Sequence, residues 1–156
     1  MVHAEQQVFH VVKAAHRQHP DAEITLPTIA DNQSAGHDFY LPCDVTFTPG
    51  KRKMIFTDVK AEIPKGTFLM ISIRSSLAIK QGMMIPNAPG IVDASYFDNE
   101  GNDGNIAIPL VNTSPLTVRL KKGDRIAQGI IVNYTHDPTS KILKEKRDGG
   151  MGSSGQ

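Results

Sequence analysis

The chain has 156 residues, 39% of them hydrophobic, which is enough for one domain with a core of its own. With 17 basic and 16 acidic side chains the net charge is +1, so no broad cationic face is expected for nucleic acid, and no apolar run approaches the length of a membrane span. The single cysteine, Cys43, excludes an internal disulfide framework and fits a reducing compartment, and the first seven residues lack the basic start and apolar run of a secretory signal, so a cytoplasmic location is expected.

Thirteen glycines and ten prolines cut the chain into short segments. In residues 5–18, Val8, Val11, Val12 and Ala15 fit one helical face, but the run 8–12 also fits an edge or interface strand; the strand is preferred because the rest of the chain is strand-rich. Residues 51–64 read as one strand with a polar entry, carrying Met54, Ile55 and Phe56 and then Val59 and Ile63. Pro64-Lys65-Gly66 reads as a tight turn into an apolar strand around Phe68, Met70, Ile71 and Ile73. Residues 75–81 are expected to make a two-turn helix stopped by Gly82. The polar stretch 98–104 reads as a solvated hairpin tip. After it, Ile106, Ile108 and Leu110 alternate toward one face, as do Leu116, Val118 and Leu120, and residues 121–124 form a turn. Many short strands between turn signals indicate an all-β sandwich, barrel or jelly roll. Residues 141–156 shift to a basic and then Gly/Ser-rich composition, which divides the chain into a β domain, 1–140, and an expected flexible C-terminal arm, 141–156.

The candidate chemistry begins at Asp93, a carboxylate inside the apolar run Gly90-Ile91-Val92-Asp93. A charge buried there needs a partner, a metal or a reaction to serve. His16 and His19 lack a second pair for zinc, and residues 98–109 fail the calcium-loop register because Asp103 stands where glycine is needed and Pro109 where glutamate is needed. There is no P-loop. Arg74-Ser75-Ser76 places a guanidinium and two hydroxyls at the start of the expected helix, a pattern that suits an anion and equally an ordinary helix cap. Gly123-Asp124-Arg125-Ile126-Ala127-Gln128 is a turn feeding a strand, and Ser34-Ala35-Gly36-His37-Asp38 places a carboxylate at a strand start. The stretch 147–155 combines Arg147, Ser153 and Ser154 with an open glycine backbone able to wrap a polyphosphate.

Taken in order, Ala-Gly-x-Asp (35–38), Arg-Ser-Ser-Leu-Ala (74–78), Gly-Ile-Val-Asp-x-x-Tyr (90–96), Gly-Asp-Arg-Ile-Ala-Gln (123–128) and Gly-Gly-x-Gly-Ser-Ser-Gly (149–155) resemble the five-motif signature of the trimeric dUTPase family, from about His19 to the C-terminus. The resemblance implies a jelly roll or distorted β-barrel that assembles as a homotrimer with sites shared between subunits. It implies hydrolysis of dUTP to dUMP and pyrophosphate with Mg²⁺. Carried over, Asp93 orients and deprotonates the water that attacks the α-phosphorus, Tyr96 lies under the deoxyribose, and Asn87 reads uracil. Asp38 holds the magnesium's waters; Arg74, Ser75 and Ser76 bind phosphate oxygens, with Gln128 near the α-phosphate; Arg147, Ser153 and Ser154 close over the β- and γ-phosphates. Met151 stands where the family commonly stacks a phenylalanine on uracil, the spacing of Arg147 from the glycines differs within the family, and the insert 97–105 is longer than the usual turn and is a place for a protein partner. Two alternatives share the fold: a dCTP deaminase, whose general-base glutamate would fall at Pro109, and a protein-binding regulator, which the intact Asp38, Asp93 and Tyr96 disfavour.

Overall fold

The computed structural model describes residues 5–143. Its strands run in the order β1 (Phe9–Val11), β2 (Thr28–Ile29), β3 (His37–Tyr40), β4 (Val45–Phe47), β5 (Arg52–Phe56), β6 (Val59–Ala61), β7 (Thr67–Ile73), β8 (Met83–Met84), β9 (Gly90–Asp93), β10 (Ala107–Asn112), β11 (Val118–Leu120) and β12 (Arg125–Asn133). One α-helix, α1 (Ser75–Gln81), and 3₁₀ turns at Ala14–His16 and Ala94–Tyr96 complete the described residues. Among them, no helix is long and apolar enough to cross a membrane.

The largest sheet is antiparallel, in the order β2-β3-β12-β7-β9, and three smaller ones pair β5-β10-β8, β1-β6 and β11-β4. No sheet among the described residues closes into a barrel. The core lies between sheets that each present one apolar face. Alternation on β7 buries Thr67, Leu69 and Ile71, and the last two share the core with Phe39, Ile108, Leu110 and Ile126. At the crossing of β3, β12 and β7, Gly129 has no substitute, since a Cβ would stand 2.9 Å from both Leu69 Cδ1 and Phe39 Cε2.

Helix α1 spans the expected residues. Gly82 adopts φ 68° and returns its N–H to the Ala78 carbonyl at 3.2 Å, the left-handed stop that glycine allows. In residues 5–18 the preferred strand is present as Phe9–Val11, and a 3₁₀ turn follows at Ala14–His16. Three expectations are corrected. Residues 51–64 are two strands: Asp58 takes φ 56°, and the chain leaves the β10 side of β5 to pair as β6 with β1. Leu116 does not continue the inward series of Val118 and Leu120; it is 72% exposed in the turn before β11. The stretch 98–104 is not a solvated tip, since Asn99, Asp103 and the following Asn105 are buried.

Candidate active site

Strand β12 lies between β3 and β7, and its register sets Gln128 opposite Asp38 on one side and Ser72 on the other. Arg74 follows β7 directly and precedes α1. These placements bring Asp38, Arg74, Ser75 and Gln128 around one cleft of about 310 Å³, together with Ser34, Gly36 and Arg125. Asp38 is buried and carries two guanidinium neighbours, Arg74 Nη1 at 2.9 Å from Oδ1 and Arg125 Nη1 at 3.5 Å from Oδ2. The Arg74 contact is electrostatic, for Nη1 is buried and makes no aligned hydrogen bond. A second cleft of about 370 Å³ shares Arg74 and Arg125 and adds Ser76, Gln81 and Arg119. Three guanidinium groups and three serine hydroxyls around adjoining clefts form an arrangement suited to a multiply charged phosphate. Gly36 explains the glycine of its motif, because a Cβ there would collide with the Gln128 side-chain oxygen. Arg119 escaped the sequence reading; its only signal is an exposed position between the inward Val118 and Leu120.

Asp93 lies elsewhere. It ends β9 opposite Phe68, near the start of β7, whereas Arg74 follows the far end of the same strand. At the ~3.3 Å rise of a strand residue, that register puts them about 20 Å apart. Asp93 is exposed, contrary to the burial that drew attention to it, and borders a hollow of about 820 Å³ with Lys65, Phe68, Ile91, Tyr134 and His136. Asn87 is exposed in the connection from β8 to β9, six residues before Asp93; the expected hairpin is not formed, since β8 pairs with β10 and β9 with β7. Tyr96 closes the 3₁₀ turn after Asp93 and is 3% exposed. Its hydroxyl donates to the Asn105 carbonyl at 2.7 Å and accepts from Asn102 Nδ2 at 2.7 Å. Arg147, Met151, Ser153 and Ser154 lie outside the described residues.

The sequence reading also missed a buried polar cluster behind Tyr96. Asp58 is 0% exposed and accepts from the Gln18 and His19 N–H groups, both at 2.8 Å, and from Asn105 Nδ2 at 2.9 Å, with Arg17 Nε at 3.4 Å. Asp103 is 2% exposed and accepts from Lys60 Nζ at 2.9 Å and the Lys13 N–H at 2.8 Å. Burial pushes the Asp103 carboxyl up, but the Lys13 N–H, the Lys60 hydrogen bond and the two lysine charges outweigh it and hold the group below its ordinary range. Burial likewise pushes Lys60 down, and Asp98 and Asp103 more than reverse it, so its ammonium is held above the usual lysine value. Asp103 and Asn105 lie in a polar stretch, and Asp58 and Lys60 interrupt an apolar one, so nothing in periodicity marks them as buried. Among the described residues no three His, Cys, Asp or Glu side chains converge as a metal centre.

The dUTPase family model matches residues 22–155. The deoxyuridine 5'-triphosphate nucleotidohydrolase of Lactococcus lactis is 33% identical over 139 residues, covering 88% of this chain and 93% of that protein. The enzyme of the same name from Thermobifida fusca is 37% identical over 141 residues, covering 86% of this chain and 75% of that protein. The crystal structure of the dUTPase from Streptococcus mutans superposes with a TM-score of 0.73 at 26% identity, covering 84% of this chain and 98% of that one. With a family match that takes in all five motifs and an all-β fold that agrees with it, the chain belongs to the dUTPase family.

Proposed function

We propose that the chain hydrolyses dUTP to dUMP and pyrophosphate at sites shared between three copies, each site taking its general base from one subunit and its phosphate cleft from another. The observation that carries this reading is the separation of Asp93 from Arg74 along β7. A general base works only within hydrogen-bond reach of the water it activates, roughly 2.6–3.2 Å. Asp93 and the phosphate cleft of the same chain cannot meet that condition together, whereas a neighbouring copy can bring its cleft to the exposed end of β9.

In the assembled site Asp93 accepts a proton from a water as that water's oxygen bonds to the α-phosphorus. The bond from this phosphorus to the α,β-bridging oxygen breaks, and pyrophosphate leaves with the electron pair. Arg74, Ser75, Ser76 and Gln128 hold the phosphate oxygens, and the guanidinium charge stabilises the negative charge that grows in the transition state. Asn87 reads the base from the connection that leads into β9 and Asp93. Tyr96, fixed behind it, forms the wall beneath the sugar. Arg147, Ser153 and Ser154 close the site over the outer phosphates, and Met151 covers the base, as the arm 141–156 folds over it.

Asp38 fits a Mg²⁺–triphosphate complex through water, because Mg²⁺ keeps several waters and takes its other ligands from phosphate, so one nearby carboxylate is enough. When bound, the ion neutralises charge on the phosphates and orients them.

A pyrophosphate-release assay across dUTP, dTTP, dCTP and UTP, with and without Mg²⁺, tests the reading. Release from dUTP alone, dependent on Mg²⁺, is the expected result. Ammonia from dCTP with dUTP untouched would replace it with deamination.

A further inference from the structure

The insert 97–105 is tied to Tyr96 more closely than a loop needs to be. It donates to the Tyr96 carbonyl from Asn99 Nδ2 at 2.8 Å, and it engages the hydroxyl through Asn102 and the Asn105 carbonyl. Gly104, at φ 83°, lets the returning chain lie against the turn, since a Cβ there would stand 2.9 Å from the Tyr96 carbonyl oxygen. The insert has no strand pairing of its own. Its position is fixed by Asp103, held by Lys60 Nζ and the Lys13 N–H, and by Asn105, whose side chain exchanges hydrogen bonds with Asp58 and reaches the His16 carbonyl at 3.3 Å. Half of these anchors come from residues 13–19, which precede the family match at residue 22.

We infer that the segment 13–19 and the insert form one clasp that positions Tyr96, and that this clasp sets the discrimination of deoxyribose against ribose; the inference rests on the dUTPase reading above. A ribose differs by a single hydroxyl, so a wall that excludes it by shape must not yield by as much as an atom's width. Precision of that order is what a catalytic or binding constellation demands of its supporting residues, about 0.5 Å. A nearly buried tyrosine with both its carbonyl and its hydroxyl tied meets the requirement. Lys13, Asp103 and Asn105 are therefore positioning residues that act through Tyr96.

Lys13 offers a clean test. Its φ of −54° and ψ of 144° are conformations that proline adopts, so Lys13→Pro removes the N–H that holds Asp103 and sets the ring Cδ in its place, which displaces the carboxylate and opens the clasp there. Lys13→Met removes only the ammonium, which is 68% exposed and 3.5 Å from Asp103, a contact of little value in solvent. The readout is the ratio of kcat/KM for dUTP to that for UTP, with KM for dUTP and the melting temperature measured alongside. Lys13→Pro should lower the ratio about tenfold with KM for dUTP nearly unchanged, a moderate share of the 10²-fold that a 1 Å misplacement can cost. Lys13→Met should match the wild type. A lower melting temperature with an unchanged ratio would make the clasp merely structural and overturn the inference, as would equal losses in both variants. If Lys13→Pro does not fold, Tyr96→Phe decides, because it keeps the ring and removes both hydroxyl ties; an unchanged ratio there overturns the inference too. A wild-type protein inert toward dUTP would instead remove the reading beneath it.

Discussion

Gly36 and Gln128 show how closely the cleft beside Asp38 and Arg74 is fitted. A methyl at position 36 would meet the far end of the Gln128 side chain, which can swing away, rather than backbone, which cannot. Gly36→Ala should therefore cost little stability and substantial turnover. It should reproduce the kinetic defect of Gln128→Ala, and the double variant should be no worse than either alone; steady-state kinetics on the three proteins checks this non-additivity. At this scale the sequence was most legible where a residue type has one physical reason to stand in its place, as Gly82 does at the end of α1. It misled at Asp93, where an apolar context suggested burial and the end of an edge strand delivered exposure. It was silent on Asp58 and Asp103, because burial of a carboxylate depends on donors brought from distant segments.

At the scale of elements, the break between β5 and β6 and the folding of the insert are two consequences of the same polar cluster. Asp58 turns the chain with a left-handed conformation, and its carboxylate draws in the backbone of residues 18 and 19. Strand continuity across residues 51–64 could not survive that, although hydrophobicity alone suggested it. The Lys60–Asp103 pair makes the cluster's stability depend on pH. Asp103 is held below its ordinary value, so its contribution is present above the unfolded carboxylate value near ~3.9 and is lost as pH falls through the folded one. Lys60 is held above its ordinary value, so its contribution is present below the unfolded lysine value near ~10.4 and is lost as pH rises through the folded one. Asp103→Asn should cost about 1.5–3 kcal/mol at neutral pH, the range for hydrogen bonds to charged groups, because Lys60 keeps its partner Asp98. Urea unfolding across a pH series should show that difference shrinking as the wild-type carboxylate takes up its proton in acid.

At the scale of the whole molecule, the order of motifs along the chain was readable without a structure, but their distribution over two regions was not. Adjacent motifs in sequence need not be adjacent in space, and the register of β7 with β9 carries that information. The proposed sharing of each site between copies has a direct consequence. Asp93→Asn and Arg74→Ala should each be nearly inactive alone, yet mixing them under conditions that exchange subunits should restore activity. Random assembly of equal amounts leaves about one quarter of shared sites with both residues intact. No recovery on mixing would place both residues in the site of a single chain. The same experiment read by sedimentation gives the assembly size.

The place of β12 between β3 and β7 reaches beyond geometry into the timing of fluctuations. Residues 127–129 pair with strands on both sides and cross the core at Gly129, whereas Gly90–Asp93 pair with β7 alone among the described residues. Amide hydrogens around Gln128 should therefore exchange with deuterium only when the entire fold opens, while those near Asp93 exchange through local fraying. In the proposed site the phosphate-holding half would thus be the slow part and the base-carrying half the fast part, so a bound nucleotide should quiet the second far more than the first.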